Sequence, residues 1–144
     1  MMTLPKDWRE QVVAEARTWI GTRYHHMGDV KGAGVDCAMI LVRVYCDLGF
    51  APAFDPRPYP RDWFLHQGQE RYIEWLEKYS VRIPAEKAGP GDIIMHRIGR
   101  TASHGAILVD DNLMIHSYAP SECVELRERR VIRHEVDSYW SPEK

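Results

Sequence analysis

The stretch GAGVDCAMILVRVYCDLGF, residues 32–50, decides how this chain is read. A glycine-rich turn runs into Asp36 and Cys37, and an apolar run follows. Ile40, Leu41, Val44, Tyr45 and Leu48 recur at helical spacing, Ala38 and Val42 make the segment apolar nearly all round, and Gly49 stops it. A helix of that kind, over 37–48, belongs at the centre of a fold. Cys37 is therefore a thiol placed where a loop becomes a helix, and two readings are open. Unpaired cysteine is among the most buried residue types and packs as a small hydrophobe. At a helix N-terminus, where backbone N–H groups favour negative charge, the same thiol is a candidate nucleophile.

The totals narrow the context. A chain of 144 residues is one domain, 1–144, and can bury a core without cross-links. Its net charge of −2 and lack of a long basic run argue against nucleic acid as a partner. Three cysteines, Cys37, Cys46 and Cys123, fall at irregular spacings with no CxxC. Neither a disulfide framework nor a structural zinc site is expected, and a reducing compartment fits. The opening MMTLPKDWREQ has no apolar stretch of the signal-peptide kind, so cytoplasmic synthesis without a signal peptide is expected. No run approaches the ~18 apolar residues of a membrane span.

Around the central helix the order of elements points to α+β. Residues 7–20, DWREQVVAEARTWI, read as a helix, with Asp7 and Glu10 in a capping-box pattern and Trp8, Val12, Ala16, Trp19 and Ile20 on one face. Residues 22–36 read as an ordered loop. Prolines at 52, 56, 58 and 60 predict an extended segment, and QERYIEWLEKY, residues 69–79, a third helix. After the Pro90-Gly91 turn come five β-like runs: DIIMHR, HGAILV, LMIHSY, ECVELRE and RVIRHEV. Helices first and an antiparallel meander second is an α+β arrangement.

Register brings two histidines together. The connector Asp110-Asp111-Asn112 suits a turn. A three-residue loop pairs Val109 with Leu113, and places His104 and His116 on one face as diagonal neighbours, about 7–8 Å apart at Cα. A two-residue loop splits them across the sheet. The three-residue register is adopted because it unites the polar groups. Thiol hydrolysis needs a nucleophile, a base to take and return its proton, and a group to hold that base. Cys37, His104 and His116 supply these in turn. Asp36 beside the thiol opposes thiolate formation, unless its carboxylate caps the helix. Taken singly, each of the three residues has an ordinary structural explanation; their joint order makes them a candidate site.

That order resembles the NlpC-type cell-wall peptidases, a papain-like group of cysteine hydrolases. Asp36-Cys37 matches their nucleophile pair at the head of a central helix, and Pro90-Gly91-Asp92 the opening of their first sheet strand. SHGAILV with His104 looks like their base, and MIHSY with His116 like their third residue. GTRY puts Tyr24 where a tyrosine stands near the thiol. The match runs from about Trp19 to Tyr118. The resemblance implies a papain-like α+β fold, with the nucleophile's helix packed on an antiparallel sheet. It also implies hydrolysis of amide bonds in peptidoglycan stem peptides, commonly D-γ-glutamyl to diaminopimelate, with no metal and no cofactor. Among members, the proline-rich DPRPYPRDWFLHQGQERYIEWL looks most like small phage and prophage proteins associated with tails. That implies possible tail-protein partners and delivery within a phage particle or on lysis. Two departures border the expected cleft: Ala38-Met39 replaces the usual Ser-Gly, and HHMG replaces tandem glycines. Tyr24, His25, Asp36 and Met39 are therefore expected to line the site.

Other residues draw quieter readings. His25 and His26 are adjacent and point apart in an extended segment, so no metal site is expected. Asp92 reads as a turn residue, Cys46 and Cys123 as packing, and RERR, residues 127–130, as a solvated turn. Trp63 and Phe64 read as core, with the substrate groove as the alternative. Two rival functions share the scaffold: a tail-assembly component with little chemistry, and an amidase or acyl transferase.

Overall fold

The computed structural model describes residues 3–59, 71–99 and 101–142. Helix α1, Trp8–Arg17, buries Trp8, Val12 and Ala16, and Trp19 follows them into the core. Two details differ from expectation. Asp7 makes no capping bond; its carboxylate accepts from Gln11 Nε2 at 2.9 Å, an i, i+4 pair that competes with the cap. The helix gives way to a turn after Arg17, which swings Ile20 out to 41 % exposure.

The loop before Cys37 holds a small antiparallel ribbon, β1 (Asp29–Val30) and β2 (Gly34–Val35). Two-residue strands carry no periodicity, so no pattern announced them. Gly34 lets β2 lie close against residues 23–25: a Cβ there would stand 2.7 Å from His25 Cβ.

Helix α2, Cys37–Asp47, is buried from Cys37 through Val42 and again at Val44 and Tyr45, as its all-round apolarity requires. The third expected helix is α3, Arg71–Tyr79, with Tyr72 and Leu76 turned into the core; Gln69 and Glu70 lie outside the described residues.

Six strands form one antiparallel sheet: β3 (Val81–Ile83), β4 (Ile93–Ile98), β5 (Thr101–Leu108), β6 (Leu113–Tyr118), β7 (Cys123–Glu128) and β8 (Val136–Ser141). Their order is β3-β8-β4-β5-β6-β7. The meander expected from β4 to β7 is present, but the last run is misplaced. RVIRHEV is not a strand. Arg129–Val131 turns as a 3-10 helix, Ile132 drops into the core beside Ile94, Leu108 and Met114, and the strand starts only at Val136. It then crosses back to lie between β3 and β4, so the sheet is not a simple meander. β3, with three residues, was too short to be read.

The hairpin register is the three-residue one. Ile107 pairs with Ile115 and Leu108 with Met114, and the Val109 N–H donates to Leu113 O at 2.9 Å. Asp110 Oδ1 accepts from the N–H groups of Asn112 and Leu113, both at 2.8 Å, which fixes the loop length. One core lies between the helices and the sheet; a smaller one, around Ile94, Ala106, Leu108 and Met114, covers the far face.

Asp92 is more than a turn residue. It is wholly buried, and its Oδ2 accepts from Arg9 Nη1 and from the Gly89 N–H, both at 2.9 Å. It ties α1 to the start of β4.

Candidate active site

The start of α2 sits between β5 and β6. Those strands pair at the two positions nearest their turn, whereas β6 and β7 pair at six. Beyond Ile107, Ser117 Oγ on β6 donates to Val35 O at 2.7 Å, and Cys37 Sγ–H donates to Ser103 O on β5 at 3.6 Å. The head of the helix is thus bracketed by both strands, which places the thiol against the backbone on either side of His104.

A bulge helps to aim that histidine. His96 pairs with His104, but the next pair is Arg97 with Ala102, so Ser103 is the extra residue on β5. Gly105, the next residue, is a close-approach position. A Cβ there would stand 2.7 Å from Tyr72 Oη and 2.9 Å from Leu41 Cδ1. Glycine lets β5 lie close to α2 and α3 at this point.

Asp36 caps α2, as expected. Its Oδ1 accepts from the N–H groups of Met39 at 2.9 Å and Ala38 at 3.2 Å. Its Oδ2 accepts from the Met27 N–H at 2.7 Å and from Tyr59 Oη–H at 2.5 Å. Tyr72 Oη–H donates to the Cys37 carbonyl at 2.7 Å. Tyr59 and Tyr72 were missed as site residues. Tyr72 belongs to the apolar stripe of α3, where nothing marks its hydroxyl for a polar task. Tyr59 is hidden among prolines.

His104 and His116 come together as the register required. His104 Nε2 and His116 Nδ1 are 2.8 Å apart, and His116 Nε2 lies 2.8 Å from Glu125 Oε2. Tyr118 stacks on His116, with ring centroids at 4.7 Å and planes at 13°. Glu125 was read only as part of a strand. Its signal was the cross-strand position: it stands directly opposite His116 in the β6–β7 ladder.

The site is dry. Cys37 is 8 % exposed and His104 3 %. Burial pushes the Cys37 thiol well up and the Asp36 charge adds to this, while N–H groups of Gly105 and Cys37 itself pull the other way. Burial drives His104 well down, and its neighbours His116, His96 and His134 push in the same direction. His116 is lowered chiefly by burial, with Glu125 opposing. Burial thus disfavours the charged forms of all three groups and opposes the helix N-terminus at the sulfur.

The remaining candidates divide. Tyr24 is half-buried and bridges to Val35, two residues from the thiol. His25 is exposed, with Nδ1 turned to His26 O at 2.9 Å. Its neighbour His26 faces inward instead: Nε2 is 3.1 Å from Tyr59 O, and Nδ1 3.9 Å from Asp36 Oδ2. Met39 is 1 % exposed and packs in the core, so only its backbone serves the site. Its side chain follows the buried face of α2 rather than the opening before it. Trp63 and Phe64 lie outside the described residues. Among the described residues no three His, Cys, Asp or Glu side chains are grouped to hold a metal ion.

Comparison with known proteins bears on this geometry. The NlpC/P60 family model matches residues 21–143. The fold is similar to the NlpC/p60 domain of the peptidoglycan hydrolase SagA, at 22 % identity and a TM-score of 0.66, over 92 % of this chain and 97 % of that one. It is similar to NlpC1 from Trichomonas vaginalis at 18 % identity and a TM-score of 0.67; the chain spans 47 % of that protein, and 97 % of this one is covered. A third likeness is to the peptidoglycan hydrolase RipB from Mycobacterium tuberculosis, at 15 % identity and a TM-score of 0.64, over 96 % of this chain and 67 % of that one. No curated protein matches the chain in sequence.

Proposed function

The chain belongs to the NlpC/P60 family, and on that premise we propose that it is a cysteine peptidase cleaving amide bonds in peptidoglycan stem peptides. The observation that carries this reading is the polar line from the head of α2 across the sheet. Cys37 lies against the backbone at His104, and His104 is hydrogen-bonded to His116.

The groups divide the chemistry between them. His104 Nε2 is engaged by His116, which leaves Nδ1 to the thiol. Cys37 Sγ attacks the amide carbonyl carbon as its proton passes to that nitrogen. The Cys37 N–H, at the helix head with Tyr24 nearby, receives the oxyanion. Collapse of the tetrahedral species transfers the proton from His104 to the departing amine and leaves a thioester. Water, deprotonated by His104, then releases the acid and restores the thiol. The bond we assign is D-γ-glutamyl to diaminopimelate, on the family resemblance. Attachment to a phage tail rests on the proline-rich stretch alone, and co-purification with tail proteins tests it.

The test is product analysis by mass spectrometry after incubation with defined muropeptides, beside Cys37→Ala. Cleavage by the wild type alone supports the reading and identifies the bond. No cleavage by either folded protein refutes the peptidase reading and favours a structural role on the same scaffold.

A further inference from the structure

Glu125 lies beyond the three residues of the reaction, yet its place in the hydrogen-bond line has a chemical consequence. We infer that Glu125 is a positioning residue that dictates which nitrogen of each site histidine carries the proton, and so presents His104 Nδ1 to Cys37 as a base. The inference rests on the peptidase reading for its purpose, not for its geometry.

An ionised carboxylate accepts only. Glu125 Oε2 is 2.8 Å from His116 Nε2, so that nitrogen carries the hydrogen. A neutral imidazole with its hydrogen on Nε2 has a lone pair on Nδ1. His116 Nδ1 is 2.8 Å from His104 Nε2, so His104 must donate from Nε2. Its remaining nitrogen, Nδ1, then has a lone pair, which a base requires. Reversing the first bond would reverse the second and put a proton where the thiol's proton must go.

The carboxylate is held for this task. Arg127 Nη1 is 3.2 Å from Oε2 and 3.3 Å from Oε1, and it also donates to Ser121 Oγ at 3.3 Å. Partial burial raises the Glu125 carboxyl, but hydrogen bonds from His116, Ser121 and Arg127 outweigh it and leave it below its ordinary value. His116, fully buried and stacked on Tyr118, cannot swing to another acceptor without breaking that stack.

The test reads the tautomers directly, without substrate. Ring nitrogen shifts of 15N-histidine-labelled protein near neutral pH should show pyrrole-type Nε2 and pyridine-type Nδ1 at both His104 and His116. In Glu125→Gln, whose amide donates as well as accepts, and in Glu125→Ala, both rings should show mixed forms; Glu125→Asp should restore the wild-type pattern. Alkylation of Cys37 by iodoacetamide, mapped by peptide mass, should slow about 10–100-fold in the alanine variant, the range for losing a group that orients a reacting ligand or base. On a cleaved muropeptide, kcat should fall by a similar factor with KM unchanged. Unaltered tautomers in Glu125→Ala and Glu125→Gln overturn the inference, whatever the substrate proves to be. Tautomers that shift as stated uphold it, even where no muropeptide is cleaved and the peptidase reading itself fails.

Discussion

Replacing Gly105 by alanine tests whether β5 lies close to α2 and α3 as described. The new methyl carbon would stand 2.7 Å from Tyr72 Oη, 2.9 Å from Leu41 Cδ1 and 3.1 Å from Met95 Sδ. Leu41 and Met95 meet it with the ends of flexible chains, but Tyr72 is a buried ring bonded to the Cys37 carbonyl. Over-packing costs about 1–3 kcal/mol, and displacing the tyrosine hydroxyl a further ~0.5–1.5 kcal/mol. Alanine's lower backbone entropy returns roughly 0.5–1 kcal/mol. A net loss of about 0.5–4 kcal/mol follows, with reduced activity because the carbonyl being released belongs to Cys37. Tyr72→Phe removes the oxygen and should cost about 0.5–1.5 kcal/mol by itself. In that background Gly105→Ala should cost at least about 1 kcal/mol less, because its worst contact has gone. Urea unfolding followed by tryptophan fluorescence, with the slope constant across the four proteins, measures the cycle. Additivity within about 0.3 kcal/mol would refute the contact as the cause.

Other substitutions probe the site separately. His96 is buried beside His104, with Nδ1 lacking a partner among the described residues, and burial pushes it down to about 4. The unfolded chain therefore takes the proton first, so stability falls as pH drops from 6.5 to about 4, by about 3 kcal/mol from this residue, with His104 and His116 adding in the same sense. His96→Leu should flatten that slope by about 1.4 kcal/mol per pH unit and leave stability at pH 7 no lower; urea titrations at pH 5 and 7 measure it. Asp36→Asn turns an amide nitrogen toward donors on one side of the carboxylate, and should cost about 2–4 kcal/mol in urea while making the Cys37 thiol more acidic, read as faster alkylation at a given pH. Arg9→Met strands the buried Asp92 carboxylate and should cost about 2–3 kcal/mol, because Arg9 is itself a third exposed; Asp92→Asn beside it should recover part of the loss.

What the sequence disclosed follows from where strong local rules act. The apolar run after Cys37 has only one way to be buried, and it became the central helix. The hairpin register was chosen because it unites His104 and His116, and the bonds of Asp110 to the N–H groups of Asn112 and Leu113 fix that loop length. Asp36 as a cap followed from its place before the helix. Failures cluster where tertiary contacts decide. Val131 and Val136 suggested one strand, but Ile132 found a better place in the far core and the strand began later. Tyr59, Tyr72 and Glu125 reach the site from elements distant in sequence, and their types are common on any helix, loop or strand. Met39 was placed by adjacency to motif residues, and adjacency does not say which way a side chain turns.

The central claim is that Cys37 forms the covalent intermediate. Wild-type protein mixed with a muropeptide, quenched in acid within the first turnovers and weighed intact should gain the mass of the acyl fragment, and peptide mapping should place it on Cys37. The adduct should be absent from Cys37→Ala and should fail to accumulate in His104→Ala. An adduct on Cys46 or Cys123, or undiminished cleavage by Cys37→Ala, would contradict the account.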